Sequence, residues 1–182
     1  MLNRRSFDEL TQEPHPKGFI DDIRGKSDRA VAVVGTVLLD MHLIQLLSAF
    51  FVDDPDEVDL LLGEDHPLGS FSARIRTAYC LGLISKAERD DLWSIQHIWG
   101  FFIRRMEDLA FSDDPIREWC YVLHLPEQAL LSDERRTPRS LFVFATALLV
   151  QQLALRIRQA EVMRRHVPGG FSLIQVDGHD EE

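Results

Sequence analysis

The stretch 30–52 constrains this chain more than any other. Wound into a helix it is apolar on almost every side, interrupted by Asp40, His42 and Gln45. Such a helix has almost no face to give to water, so it belongs at the centre of a set of other helices. Ser27 stands at its N-cap position, and Asp28 falls in the first turn, where a carboxylate interacts favourably with the helix dipole. A second apolar stretch, 141–155, belongs to a last helix over 139–165, entered through Thr137 and Pro138 and stopped by Pro168, Gly169 and Gly170. The first stretch carries polar interruptions. The second, Thr146 apart, is apolar only as far as Val150, about half of the roughly 20 residues needed to span a bilayer. Both read as core helices rather than membrane spans.

The segments between them also have helical spacing. Residues 55–62 form a short helix ending at Gly63, and 64–69 a loop with Pro67 and Gly69. Over 70–81 the pattern places Phe71, Ile75, Tyr79 and Cys80 inward and Arg74 and Arg76 on the surface, with Gly82 as the terminator. Ser85 and Glu88 form a capping box that opens a long helix to about residue 106, with Leu92, Ile95, Ile98 and Phe102 as its buried stripe. A turn at Asp113, Asp114 and Pro115 leads into a helix over 116–123, and a charged, irregular stretch fills the gap to Thr137. Upstream, Ser6 and Glu9 have the spacing of another capping box, and 18–24 offers a short packing helix through Phe19, Ile20 and Ile23. No segment alternates as a strand does. The expected fold is all-α: a single-domain multi-helix bundle with two long core helices and a long C-terminal helix. Its expected divisions are an N-terminal extension over 1–16, a helical domain over 17–166 and a flexible acidic tail over 167–182.

A chain of 182 residues, 45% of them apolar, supports one well-buried core. Its formal charge of −10 repels nucleic acid and acidic membranes on average, so contact with either requires a local basic patch. Cys80 and Cys120 fit two reduced core thiols. Near the N-terminus Arg4 and Arg5 are followed by Asp8, Glu9 and Glu13 rather than an apolar run, so a cytoplasmic location is expected. The histidines show no i,i+4 pairing, no glycine-rich phosphate loop follows a strand, and no nucleophile stands in an elbow. Neither metal nor cofactor is expected.

A spaced set of residues runs from Ser27, Asp28 and Arg29 through Leu39 and Asp40 to the block 67–74, then Tyr79 and the turn 81–85. This set resembles the mannitol operon repressor family over roughly 18–123, and the 67–74 block is its most specific part. The resemblance implies transcriptional regulation. Relatives continue with Arg-Asn, one variable residue and Phe-Ala-His, a pattern shared with HEPN nuclease-like helical domains. Here the matching stretch reads Trp99, Gly100, Phe101, Phe102, Ile103, Arg104. Trp99 supplies no guanidinium, and Arg104 stays protonated and cannot act as a base. The expectation is therefore a regulator without catalytic residues, working through protein-protein contacts, with a DNA-binding regulator as the natural partner. The alternative is a HEPN-like RNA-processing or nucleotide-transfer protein with altered active residues. In it His97, seven positions and about 10 Å before Arg104 on the same helix face, reverses the motif.

Direct DNA contact has two candidate elements. The helices joined at 81–85 have a helix-turn-helix outline, but the second begins with Glu88, Asp90 and Asp91 beside Lys86 and Arg89, the wrong sign to face phosphates. The last helix is more basic, with Arg158 and Arg165 on one face, Arg156 and Arg164 near them, and Arg135, Arg136 and Arg139 upstream. Of the core-helix ionic groups, Asp40 requires a partner among its leucines, and Arg74 is the candidate. Arg29, Asp40 and Arg74 are read either as structural ions or as a binding groove, with Arg104 as a further phosphate-holding candidate. Leu141, Phe142, Phe144, Leu148 and Leu149 exceed one apolar stripe and either bury within the bundle or form a homo-oligomer seam.

Overall fold

The computed structural model describes residues 19, 23, 25–104, 108–129 and 136–170. The capping box at Ser6, most of 18–24, residue 106, Arg135 and residues 171–182 of the acidic tail lie outside the described residues. Seven helices are described: α1 (Asp28–Phe50), α2 (Pro55–Leu62), α3 (Phe71–Cys80), α4 (Lys86–Arg104), α5 (Ile116–Tyr121), α6 (His124–Gln128) and α7 (Pro138–Val162). No strand occurs among the described residues, and the architecture is the all-α bundle that the apolar periodicity demands.

Local chemistry sets the helix ends. The Ser27 hydroxyl accepts the Ala30 amide at 3.3 Å, and Ser70 does the same for Ala73 at 3.2 Å. Ser85 and Glu88 close a reciprocal box, with Glu88 N–H to Ser85 Oγ at 3.2 Å and Ser85 N–H to Glu88 Oε2 at 2.5 Å. Gly82 ends α3 with φ of 72°, a region where a side chain strains the backbone. Thr137 caps α7 in a box with Ser140.

The two long apolar helices, α1 and α7, lie side by side and run parallel. At their starts Asp28 pairs with Arg139, and one third of the way along Gly35 faces Phe142 and Thr146. At their ends the Arg165 N–H donates to Phe50 O at 2.8 Å, and Arg164 pairs with Asp53 at 2.7 Å. A Cβ on Gly35 would lie 3.2 Å from the Phe142 ring, so a small residue there lets the helices close up. Each helix has the length and hydropathy to cross a membrane. In the bundle those apolar residues have protein partners: Leu39, Leu43, Leu46 and Leu47 of α1 and Phe142, Leu149, Val150 and Leu153 of α7 are fully buried. They meet Ile75 of α3 and Leu92, Ile95, Ile98 and Phe102 of α4 in one core. A ring chain runs through its centre, Phe102 to Phe111 at 5.1 Å and Phe111 to Phe142 at 4.9 Å. Each such side chain contributes about 1.5–3 kcal/mol by leaving water.

Three local expectations are corrected. In α3 the buried stripe is Phe71, Arg74, Ile75 and Ala78, so Arg74 faces inward at 4% exposure while Cys80 is exposed. The stretch read as irregular contains α6, whose N-cap residue Leu123 offers no side-chain acceptor. Its first amides are satisfied from α4: Asp91 accepts His124 N–H at 2.7 Å and Leu125 N–H at 2.9 Å. α7 stops at Val162 rather than 165.

Candidate functional site

The opposite edge of α4 from its buried stripe carries Arg89, Trp93 and His97 at i, i+4 and i+8, with Asp90 and Ser94 beside them. α3 brings Arg76 and Tyr79 to one side of that row, and α5 brings Trp119 to the other. The result is an open groove of about 530 Å³ between three helices. The groove is built around three ring contacts, two with an arginine guanidinium and one with the His97 imidazole. Arg76 lies 5.8 Å over Trp93, Arg89 lies 4.3 Å over Tyr79, and the His97 ring stacks on Trp119 at 4.4 Å and 17°. The Arg89 side chain also donates twice to Asp90 Oδ1, at 2.9 and 2.6 Å. That hydrogen bond raises Arg89 above its ordinary range and leaves its charge balanced. Arg76 has no carboxylate partner among the described residues.

Of these groove residues, His97 figured among the functional candidates from the sequence for a different role, and Arg89 and Asp90 only within the helix-turn-helix outline. The missed signal was the row Arg89, Trp93, His97 on the edge of α4 away from its buried stripe, where Trp93 packs against the core on one side and borders the groove on the other.

The candidate ions of the sequence occupy several places. The Arg74 Nη1 lies 2.7 and 2.6 Å from the two Asp40 carboxylate oxygens, and Nη2 donates to Leu62 O at 2.8 Å, tying α1, α2 and α3 together. Burial pushes the Asp40 carboxyl above 3.8, and the Arg74 hydrogen bond and charge offset part of that. Arg29 donates to Phe102 O at 2.6 Å, placing a cation at the carbonyl end of α4. Arg104 folds back along its own helix so that a Cβ on Gly100 would come within 2.7 Å of its Nη2. Arg158 is exposed on α7, and Arg165 lies 5.9 Å over the Phe50 ring. Arg29 and Phe50 are 21 residues apart on α1, about 30 Å. These residues therefore do not converge on one groove.

The helix-turn-helix outline takes a different form from the one its charges suggest. Glu88 and Asp91 are 2% and 0% exposed, a correction to their reading as surface acids. Glu88 faces Arg156 of α7 at 3.4 Å, and Asp91 holds the start of α6. Two helices thus cover one side of the first turns of α4, and the other side is recessed in the groove. A recognition helix has to project into a major groove; this one does not project.

The arrangement can stack on and pair with a ligand, but it offers no activated nucleophile. Cys120 is fully buried and its thiol is pushed up to about 12, burial first and the Asp28 charge second. Among the described residues no group of three His, Cys, Asp or Glu side chains is arranged to hold a metal ion. Of the apolar α7 residues, Leu141, Phe142 and Leu149 turn into the bundle, while Phe144 and Leu148 stay partly exposed.

A family model described as mannitol repressor matches residues 25–164. The X-ray structure of the MtlR–HPr complex from Escherichia coli is similar at 21% identity and a TM-score of 0.63, covering 76% of this chain and 98% of that one. YggD from Shigella flexneri 2a, described as a possible transcriptional regulator, is similar at 18% identity and a TM-score of 0.54, covering 80% and 96%. No curated protein matches in sequence.

Proposed function

The chain belongs to the mannitol repressor family, and from that membership we propose that it regulates transcription by binding other proteins rather than by reading bases itself. One observation carries the second half of this reading: the first turns of α4 are covered by α6 and α7 through Asp91 and Glu88, so the one helix-turn-helix outline in the chain has no projecting reading helix. The net charge of −10 supports the same reading. The similar Escherichia coli structure holds HPr, which makes HPr the first partner to test. A DNA-binding regulator is the second partner, because repression needs contact with an operator somewhere in the assembly. Residues 17–166 form the working unit, acting in the cytoplasm without catalysis.

The test mixes the purified full chain with HPr from the same bacterium in a titration calorimeter, and separately with operator DNA in a gel shift over a salt series. Saturable HPr binding with DNA left unretarded is the expected result. Tight DNA binding by the protein alone, falling steeply with salt, overturns the reading. Cleavage of labelled single-stranded RNA that is lost on changing His97 or Arg104 overturns its non-catalytic part.

A further inference from the structure

We propose that the groove between α3, α4 and α5 docks an acidic protein segment that carries an apolar side chain next to its carboxylates, with Arg76 as the charge it pairs with. The proposal rests on the reading of this chain as a protein-binding regulator and names the surface and the chemistry of the partner.

Charge is the first argument. The molecule carries −10 overall, yet this groove has a local excess of positive charge. Arg89 is matched by Asp90, whereas Arg76 lies on the Trp93 ring and makes no hydrogen bond or ion pair among the described residues. At physiological salt, charges more than about 8 Å apart are largely screened. An approaching carboxylate therefore feels Arg76 more than the distant acidic surface.

Composition is the second. Trp, Tyr and Arg are the residue types that dominate binding hot spots, because they bury large rigid area and still offer a polar edge. Six such groups or near relatives line this one site: Arg76, Tyr79, Arg89, Trp93, His97 and Trp119. The rings give an apolar side chain a floor to lie on, and the guanidiniums stand where neighbouring carboxylates would reach. His97 and Trp119 are already stacked and Arg89 is already held by Asp90, so little of their side-chain freedom is lost when a partner arrives.

The experiment uses isotope-labelled full chain, in which the three tryptophan indoles, Trp93, Trp99 and Trp119, give separate NMR signals. The probe is the capped peptide Glu-Glu-Leu-Glu-Glu, added up to about 1 mM in about 150 mM salt. We expect saturable shifts at Trp93 and Trp119 and none at Trp99. Arg76→Glu should weaken binding at least tenfold while Arg158→Glu leaves it unchanged, and the Gln-Gln-Leu-Gln-Gln peptide should give no shift. No movement of Trp93 and Trp119, equal binding by Arg76→Glu, or equal binding of the neutral peptide overturns the proposal. So do shifts that follow protein concentration without peptide, since they give the groove to a second copy of the chain. Failure here with HPr still bound leaves the regulatory reading standing. Failure of HPr with the peptide still bound removes that partner and keeps the groove.

Discussion

Arg74 and Asp40 form an ion pair in which a 4%-exposed guanidinium is held by one carboxylate and by the Leu62 carbonyl. Three helices meet at this one arginine. Its charge has no route to water, so the carboxylate is what makes the burial tolerable.

Asp40→Leu, which removes both oxygens that Arg74 donates to, should therefore destabilise the fold. Removing one member of a buried pair costs about 3–5 kcal/mol, and the partial exposure of Asp40 lowers the expectation to about 2–3 kcal/mol. Urea unfolding followed by circular dichroism measures it. A loss under about 0.5 kcal/mol would show that water reaches Arg74 after all.

Asp91→Ala tests how α6 is held. The substitution takes the acceptor from the His124 and Leu125 amides and leaves a helix start without a cap. Stability should fall by about 2 kcal/mol, and amide exchange should quicken over His124–Gln128 while α1 stays protected. Unchanged exchange in that segment would mean that packing alone maintains α6.

His42 gives the fold a pH dependence. Burial lowers its pKa below 6.5, and the Leu38 carbonyl hydrogen bond opposes this in part. As pH falls below 6.5 the unfolded chain takes up a proton that the folded chain refuses, so stability drops; above 6.5 both forms are neutral and the effect is complete and flat. His42→Leu should flatten the melting temperature between pH 7 and the lowered value, at a limit of about 1.4 kcal/mol per pH unit. Asp40, whose pKa is raised, works in the other direction and lower on the scale: above 3.8 the folded state holds a proton that the unfolded chain has released, so stability declines as pH rises through that window. A variant with the wild-type slope between pH 5 and 7 would clear His42 of the effect.

Two glycines should respond in opposite ways. A Cβ on Gly69 would sit 2.1 Å from Glu64 O and 2.5 Å from Gly63 O, backbone atoms that cannot step aside. Gly69→Ala should cost about 1–3 kcal/mol by forcing the loop apart. At Gly100 the obstacle is the mobile end of Arg104, so Gly100→Ala should stabilise by up to about 1 kcal/mol through helix propensity once the guanidinium swings away. Thermal melts of both variants decide it, and a destabilised Gly100→Ala would show that Arg104 is anchored where it lies.

Features that rest on neighbours in sequence were legible. The caps at Ser27, Ser85 and Thr137, the stop at Gly82 and the all-helical class follow from local hydrogen bonding and periodicity, and the structure has them. The Asp40–Arg74 pair was legible for a different reason: a carboxylate among leucines demands a cation. What could not be read depends on residues far apart. Asp91 looks like a surface acid until α6, 33 residues on, delivers its amides to it. The groove needs Trp119 to cross over to His97, and nothing in either segment announces the other. Arg74 was placed outward because arginine is rarely buried, yet the stripe of Phe71, Ile75 and Ala78 contains its position.

The parallel seating of α1 and α7 has a consequence for how the molecule is made. Asp28 and Arg139 are 111 positions apart. At a synthesis rate of about 5–20 residues per second, the first apolar helix leaves the ribosome and waits on the order of 5–20 seconds for the helix that covers it. α3 and α4 reach it sooner, but its α7 side stays uncovered throughout that interval, so the nascent chain, more than the finished protein, is the form exposed to aggregation.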